Sequence, residues 1–191
     1  MPIPRVSVYI ATSLDGFIAG EDGALDWLES VQVPGEDYGY AAFLATVDGV
    51  VLGRRTFEQI RTFDTWPFPG LRTAVLTHRP LPPQAPVEAW HGALRPRLEQ
   101  WAREGIRHVY LDGGEAIRQG LAEGCVAHLT LSRLPILLGT GRPLFAPPSP
   151  RLAWTHEGTE AFPSGLVQSR YRALDGRPGR PEVEAQFVSP S

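Results

Sequence analysis

The chain has 191 residues, 42% of them apolar and 20% charged, with a formal net charge of -3 and one cysteine. This length and apolar content suffice for one sizeable core, and a single cysteine excludes a disulfide framework and suits a reducing compartment. Because the sequence has no apolar run of about 18 residues, no charged-then-apolar leader and no basic stretch, we predict a cytoplasmic protein that binds neither membrane nor nucleic acid.

The hydrophobic pattern predicts strands that alternate with helices up to about residue 123, and strands alone after it. The predicted strands are residues 5–11, 49–53, 72–77, 86–90, 107–112, 126–134, 151–157 and 166–173, and the predicted helices are residues 36–47, 55–62, 94–104 and 115–123. This order predicts an α/β fold with a mainly parallel central sheet, helices on both faces and a C-terminal antiparallel hairpin. Residues 1–174 are the predicted domain, and the Pro/Gly-rich residues 175–191 are a predicted tail.

The strand at residues 49–53 ends in a turn that can hold phosphate. Gly53 permits a close approach of the backbone, while Arg54, Arg55 and the Thr56 hydroxyl offer donors at the first turn of the next helix. The alternative is that so short a motif is only an ordinary connection between a strand and a helix of an α/β fold.

The strand at residues 72–77 also has a cationic end, formed by Thr77, His78 and Arg79. If this strand lies beside the strand at 49–53, these residues and Arg54 would surround a phosphate monoester, the group that distinguishes NADPH from NADH. For Arg79 the alternative is a solvated loop residue.

A second turn with phosphate-binding potential follows the strand at residues 107–112. Gly113 and Gly114 can expose backbone amides at the start of the next helix. Two such turns predict a nucleotide with a diphosphate, and valine at either glycine is expected to block it while leaving the fold intact. Neither G-x-G-x-x-G nor the P-loop motif occurs, so an ATPase is not predicted.

Six segments follow one another along the chain: S-L-D-G-F-I-A at 13–19, G-A-L-D-W at 23–27, L-G-R-R-T at 52–56, L-T-H-R at 76–79, D-G-G-E at 112–115 and P-I-L-L-G-T-G-R-P-L-F at 135–145. In this order they resemble the dihydrofolate reductase-like family, and within it the RibD C-terminal domain branch, the reductase of riboflavin biosynthesis. The resemblance covers residues 5–174 and implies a small stand-alone member. Where relatives carry an acidic pair before the late strand, this chain has Ala127 and His128.

The resemblance implies an NADPH-dependent reductase that transfers a hydride to a small heterocycle of pyrimidine or pterin type, similar to 5-amino-6-(5-phosphoribosylamino)uracil reductase. The cofactor-binding residues it implies are Gly53, Arg54, Arg55, Thr56, Thr77, His78, Arg79, Gly113, Gly114 and Glu115. A true dihydrofolate reductase and a non-catalytic NADP-binding protein are the alternatives. The five histidines show no paired metal spacing, and one cysteine cannot complete a zinc deaminase site, so no metal is predicted.

Three residues are candidates for the substrate half of the pocket. Asp15 is a candidate catalytic and substrate-binding residue, although Asp-Gly is also a common turn pair. Trp27 is a candidate for packing over the pocket mouth, with plain core packing as the alternative. Asp37 is the second candidate catalytic residue: it could grip an amino-amidine edge, as in folate-reducing relatives, or only offset the dipole at the start of a helix.

A homodimer is the last expectation. Relatives in this branch are commonly dimers, and an exposed final sheet edge is a liability that a second copy can cover. We expect the last strands to form the interface, with Phe187 and Val188 of the tail as possible contributors. Each cofactor site is expected to be complete within one chain.

Overall fold

The computed structural model describes residues 2–82, 85, 87–147 and 149–174. These residues form ten strands, four α-helices and one 3-10 helix. The strands are β1 (Arg5–Thr12), β2 (Phe17–Ala19), β3 (Gly49–Gly53), β4 (Arg72–Leu76), β5 (Glu88–Trp90), β6 (His108–Asp112), β7 (His128–Arg133), β8 (Arg142–Pro143), β9 (Trp154–Ala161) and β10 (Val167–Ala173). The helices are α1 (Tyr40–Leu44), α2 (Arg54–Ile60), α3 (Leu94–Arg103) and α4 (Gly114–Ala122), and the 3-10 helix is Asp26–Val31.

Eight strands form one sheet in the order β5-β4-β3-β6-β1-β7-β10-β9. The first six strands in this order, β5, β4, β3, β6, β1 and β7, are parallel to one another. The strand β10 is antiparallel to both β7 and β9. The predicted mainly parallel sheet with a C-terminal antiparallel hairpin is therefore confirmed. β2 and β8 pair with each other outside this sheet.

Helices cover both faces of the sheet, as predicted, because each carries one apolar side. Leu98 and Trp101 of α3 and Ile117 of α4 pack in the cluster on one face. Phe57 of α2 belongs to the cluster on the other face, and Phe43 of α1 packs against it. Side chains such as Phe57 and Trp101 are at most 1% exposed, and burying one of this size stabilises the fold by about 1.5–3 kcal/mol.

The topology creates a crevice between β3 and β6. These neighbours are parallel, but α2, which follows β3, and α4, which follows β6, pack on opposite faces. Ligands of open α/β sheets bind at such a switch point, beyond the carboxyl ends of the strands. The two glycine turns singled out in the sequence both lie at this crevice.

Several predicted boundaries were wrong. The helix predicted at 36–47 is only the five residues of α1, because Tyr38 and Gly39 have φ of +57° and +83° and cannot continue a helix. β9 begins three residues later and ends four residues later than predicted. The pattern missed β2, β8 and the 3-10 helix, which are too short for a hydrophobic period.

Within the part of the chain that the structure describes, no helix combines the length and apolarity needed to span a bilayer. Phe187, Val188 and the predicted tail at 175–191 lie outside the described residues.

Candidate active site

A cleft of about 870 Å³ lies over the carboxyl ends of β1, β3 and β6, and we call it the central cleft. β2, the loop at 22–28 and the segment around β8 form its other walls. Its charged lining residues are Asp22, Arg54, Arg55, Glu58, Asp112, Glu115, Arg118 and Arg142. The cleft therefore has cations and backbone turns that suit a phosphate group, and it also has a wall of β1 residues.

The backbones of the two glycine turns touch in the centre of this cleft. Gly113 has φ of +98°, and a Cβ atom there would lie 3.1 Å from the amide nitrogen of Gly53 and 2.5 Å from Oγ1 of Thr56. Only glycine permits this approach. Valine at Gly113 is therefore expected to strain the fold as well as block the anion, an effect that the sequence did not predict.

The start of α4 faces the cleft. Its N-cap, Gly113, supplies no side-chain cap, and Gly114 and Glu115, both lining residues, are in its first turn. First-turn amides have no acceptor within the helix and favour an anion. A Cβ at Gly114 would lie 2.6 Å from Cδ1 of Ile18 in β2, which is a mobile side-chain end rather than backbone.

A smaller cavity of about 170 Å³ lies where the ends of β3 and β4 meet, and we call it the strand-end pocket. The pairing of Gly53 with Leu76 in the β3–β4 ladder places the two strand ends side by side, as the sequence suggested. Of the predicted cofactor residues, Gly53, Arg54, Thr77, His78, Arg79 and Glu115 line this pocket.

Arg54 is held rigidly between the strand-end pocket and the central cleft, and it lines both. Its Nε donates to Oε1 of Glu58 at 2.7 Å, and its Nη1 donates to the carbonyl oxygen of Pro80 at 2.9 Å. The side chain is 18% exposed. A guanidinium that is fixed in this way loses little entropy when it binds a phosphate.

Arg55 differs from Arg54 in its exposure. It forms a 3.4 Å ion pair with Glu115 across the crevice, and both side chains are about two thirds exposed. Exposed ion pairs contribute little to stability. Arg55 lines the central cleft and not the strand-end pocket, so the two adjacent arginines serve different parts of the site.

Asp112 is the ionisable group at the floor of the central cleft. It ends β6, and its Oδ1 accepts a 2.8 Å hydrogen bond from the amide of Gly113. Burial raises its pKa to about 6, although the hydrogen bond from the amide of Gly113 opposes the shift. A carboxyl with this pKa can hold and release a proton near neutral pH.

A half-buried tyrosine, Tyr40, and a buried one, Tyr110, stand behind Asp112. Burial raises the pKa of Tyr40 to about 12, and it raises the pKa of Tyr110 well above its ordinary value. Both phenols therefore stay neutral. The hydroxyl of Tyr110 donates to the carbonyl oxygen of Tyr9 at 3.0 Å, which ties this floor to the wall formed by β1.

A second cleft of about 640 Å³ opens beside the first, and we call it the side cleft. Tyr9, Ala11 and Leu28 line both clefts, so a compound in one would meet a compound in the other along β1. The other lining residues of the side cleft are Val31, Gln32, Val33, Pro34, Glu36, Asp37, Tyr38, Ser132, Leu134 and Leu166.

The shared wall carries a hydrogen-bond network centred on Gln168, which is 4% exposed. Its Nε2 donates to the Tyr9 hydroxyl at 2.8 Å, to the carbonyl oxygen of Tyr38 at 3.1 Å and to Oγ of Ser132 at 3.1 Å. The Tyr9 hydroxyl donates in turn to the carbonyl oxygen of Tyr38. Because burial raises the pKa of Tyr9, this wall presents a neutral phenol.

Asp15 does not line either cleft. Its carboxylate accepts a 2.5 Å hydrogen bond from Ser13 and a 2.8 Å bond from the amide of Gly139, and these bonds tie the turn after β1 to the loop before β8. The Ser13 hydroxyl and these loop amides lower the pKa of Asp15. The geometry favours the turn alternative, and a catalytic role for Asp15 stays a prediction.

Trp27 and Asp37 occupy different parts of the side cleft region. Trp27 is 6% exposed and packs with Leu134 and Leu166, so the structure favours the packing alternative. Asp37 does line the side cleft, at its exposed rim. Its two oxygens accept 2.9 Å hydrogen bonds from the amides of Gly39 and Ala41, so it caps α1, and these bonds lower its pKa.

Sequence reasoning did not single out Tyr9, Asp112, Arg142 or Gln168. For Asp112 a signal was present, since an acid that ends an apolar strand directly before two glycines must lie at the mouth of the predicted anion site. Tyr9 and Gln168 belong to β1 and β10, which are far apart in the chain and flank β7 in the sheet, so their meeting follows from the sheet order. Among the described residues, no group of three or more histidine, cysteine or acidic side chains could hold a metal ion.

Residues 4–168 match the RibD C-terminal domain family. The chain is 33% identical over 173 residues to YwjB, an uncharacterized protein of Bacillus subtilis (strain 168), covering 87% of this chain and 97% of that protein. A crystal structure of a protein from Shewanella sp. PV-4 assigned to riboflavin biosynthesis has a TM-score of 0.83 and 35% identity, covering 89% of this chain and 99% of the other.

The dihydrofolate reductase from Enterococcus faecalis, complexed with NADP(H), has a TM-score of 0.64 and 18% identity, covering 90% of this chain and 97% of that one. At this identity the likeness shows the fold alone. The expected dihydrofolate reductase-like fold is confirmed.

Proposed function

The chain belongs to the RibD C-terminal domain family, and from this we propose that it is an NADPH-dependent reductase of a pyrimidine- or pterin-type ring compound. The observation that carries the proposal is the junction of the two clefts at Tyr9, Ala11 and Leu28. One cleft has the glycine turns and cations for a dinucleotide, and the other is a separate, mainly apolar space for a ring. A single buried cysteine supports a cytoplasmic location.

Two features of the residues present fit NADPH. The contact of Gly113 with Gly53 leaves a cradle that a Cβ atom would fill, and the first turn of α4 opens onto it. Arg54 and Arg79 at the strand-end pocket suit the additional phosphate of NADPH. The Enterococcus dihydrofolate reductase, which has the same fold, is complexed with NADP(H).

The cofactor, when bound, supplies the hydride that reduces a C=N bond of the ring compound or of its side arm. The product also needs one proton, which we assign to the carboxyl oxygen of Asp112. Tyr9, whose hydroxyl accepts a hydrogen bond from the buried Gln168, holds the ring against β1 and excludes water from the junction. The protein therefore contributes orientation and a proton, while the cofactor contributes the electrons.

The experiment that tests this function follows the loss of NADPH absorbance with purified protein and a set of ring compounds. We expect turnover with a ribosylaminopyrimidine. Turnover with dihydrofolate alone would instead support a true dihydrofolate reductase, for which Asp37 at the rim of the side cleft is the favourable observation. NADPH binding without turnover of any ring compound would support a non-catalytic NADP-binding protein.

Arg54→Gln is expected to weaken NADPH binding by roughly tenfold to a hundredfold, because one charge-assisted bond is worth about 1.5–3 kcal/mol. NADH binding should change by less than about threefold, because NADH lacks the phosphate that Arg54 contacts in this proposal. Titration of tryptophan fluorescence with each cofactor measures both affinities.

The matched control is Arg107→Gln, which removes the same charge from the opposite edge of the sheet, directly before β6. It should leave both affinities unchanged. Equal weakening of NADPH and NADH by Arg54→Gln would contradict the assignment of the strand-end pocket. A thermal melt of each variant separates this result from general unfolding.

We also propose a homodimer that uses the final strands. β9 forms the end of the eight-stranded sheet, with seven of its eight residues paired on one side to β10. Light scattering behind a sizing column should give about twice the 21.0 kDa of one chain. A single-chain mass at micromolar concentration would contradict the dimer, and a dimer that survives deletion of residues 175–191 would contradict only the role of the tail.

A further inference from the structure

We infer that the ring compound bound in the side cleft carries no phosphate, and that it is a neutral or cationic, amino-bearing ring. This inference rests on the proposed function, which places the ring compound in the side cleft. It departs from the substrate of 5-amino-6-(5-phosphoribosylamino)uracil reductase, the activity that the sequence resembles.

The charges around the side cleft are the first reason. Its lining includes neither arginine nor histidine among the described residues, and the chain has no lysine anywhere. The lining does include two carboxylates, Glu36 and Asp37, at the exposed rim. A phosphate monoester carries about -1.5 to -2 charges at pH 7 and would be repelled by carboxylates rather than paired.

The backbone amides at this rim are the second reason, because they are already used. The amides of Gly39 and Ala41, at the start of α1, both donate to Asp37. The amide of Tyr38 donates to Oε1 of Glu36 at 2.7 Å. These bonds lower the pKa of Asp37, so it is ionised at neutral pH and takes the place that an anion would otherwise occupy.

The arginines of the neighbouring central cleft are mostly committed to other partners. Arg54 is assigned to the extra phosphate of NADPH, Arg55 forms an exposed ion pair with Glu115, and Arg118 donates to the carbonyl oxygen of Pro143 at 2.8 Å. Arg142 donates to the carbonyl oxygen of Glu21, and no carboxylate of the described residues lies within salt-bridge distance of it. A phosphate on the ring compound would therefore have to leave the side cleft and reach Arg142.

The side cleft favours a different kind of ligand. Val31, Leu134 and Leu166 give it apolar walls for a flat ring, and the carboxylates of Glu36 and Asp37 are acceptors for ring amino groups. Acceptors at the rim and apolar walls behind them select a ring whose polar edge donates hydrogen bonds.

The test uses a matched pair of probes, 5-amino-6-(ribosylamino)uracil and its 5′-phosphate, with NADPH and the whole chain. In each case the hydride and one proton add to the C=N bond of the ring-opened ribosylamine, and NADPH becomes NADP+. We expect the kcat/KM of the unphosphorylated probe to be higher by at least about tenfold. Calorimetric titration of each probe should show the same order of affinity.

A gain-of-function variant makes the test sharper. Val33 lines the side cleft and is 46% exposed, so Val33→Arg places a cation at the rim. This variant should shift the preference towards the phosphorylated probe by at least about tenfold, since it supplies one charge-assisted bond. Val33→Gln, which lengthens the side chain without adding charge, should not.

Equal use of the two probes, or preference for the 5′-phosphate by the unmodified protein, would overturn the inference. If Arg142→Gln then abolished that preference, the phosphate would be assigned to the central cleft. Neither binding nor reduction of either probe, with NADPH binding retained, would overturn the proposed function and the inference together. A phosphate preference with efficient turnover would overturn the inference alone.

Discussion

Asp112→Asn is expected to lower kcat by about 10²–10⁴-fold, the usual contribution of a positioned general acid. Asparagine keeps the shape of the carboxyl group and can still accept the hydrogen bond from the amide of Gly113. NADPH affinity should therefore change little while turnover is lost. Activity of the unmodified protein should fall as the pH rises through about 6, where Asp112 loses its proton, and the residual activity of the variant should lack this dependence.

The same substitution is expected to make the protein more stable at neutral pH. The folded-state pKa of Asp112, about 6, lies above its ordinary value of 3.8, so the fold favours the protonated form. The stability from that proton is fully present below pH 3.8 and is lost as the pH rises through about 6. At pH 7 we expect Asp112→Asn to raise the free energy of unfolding by about 1–3 kcal/mol, with the difference closing below about pH 4.

Urea titrations at several pH values measure this stability, and NADPH absorbance measures turnover. Higher stability with lost turnover is the expected pair of results. Full turnover of Asp112→Asn would contradict the role of Asp112 as proton donor. A stability difference that does not depend on pH would contradict the raised pKa.

Valine at either glycine of the α4 turn is expected to abolish NADPH binding, but with different effects on the fold. At Gly114 the added Cβ meets the movable end of Ile18, so the methyl groups can fill the cleft while the melting temperature stays nearly unchanged. At Gly113 the Cβ meets the backbone of Gly53, and φ of +98° is strained for valine. Strain of about 1–3 kcal/mol should lower the melting temperature of Gly113→Val by roughly 2–12 °C.

Gly105→Val is the matched control, because Gly105 has φ of +97° and open space around its Cβ position, in the turn after α3. The Gly105→Val variant should have a lower melting temperature because of the strain of the positive φ, and its NADPH affinity should be unchanged. Calorimetric titration with NADPH and thermal melts of the three variants complete the comparison. Normal NADPH binding by Gly114→Val would contradict the assignment of the α4 turn to the diphosphate.

The sequence by itself determined the parallel sheet and the two glycine turns at its edge. Apolar runs such as residues 49–53 specify buried strands locally, and the Gly113–Gly114 pair specifies the turn in which the next helix begins. Because parallel strands end at one edge, the same local signals placed the ends of β3, β4 and β6 on that edge, whereas the strand order decided that they are neighbours. For this reason the sequence alone could place the cations of Arg54 and Arg79 at that edge of the sheet.

The tertiary structure decided three features that the local sequence signals could not: the role of Asp37, the pKa of Asp112 and the contact between Gln168 and Tyr9. Whether Asp37 continues a helix or caps one depends on the positive φ of Tyr38 and Gly39, which tertiary packing permits. The pKa of Asp112 depends on burial, and the chemistry of a carboxyl group follows its surroundings rather than its neighbours in sequence. The hydrogen-bond network behind Tyr9, which lines both clefts, forms because the sheet order brings Gln168 to Tyr9 across 159 positions, and contacts of that separation leave no periodic trace in the chain.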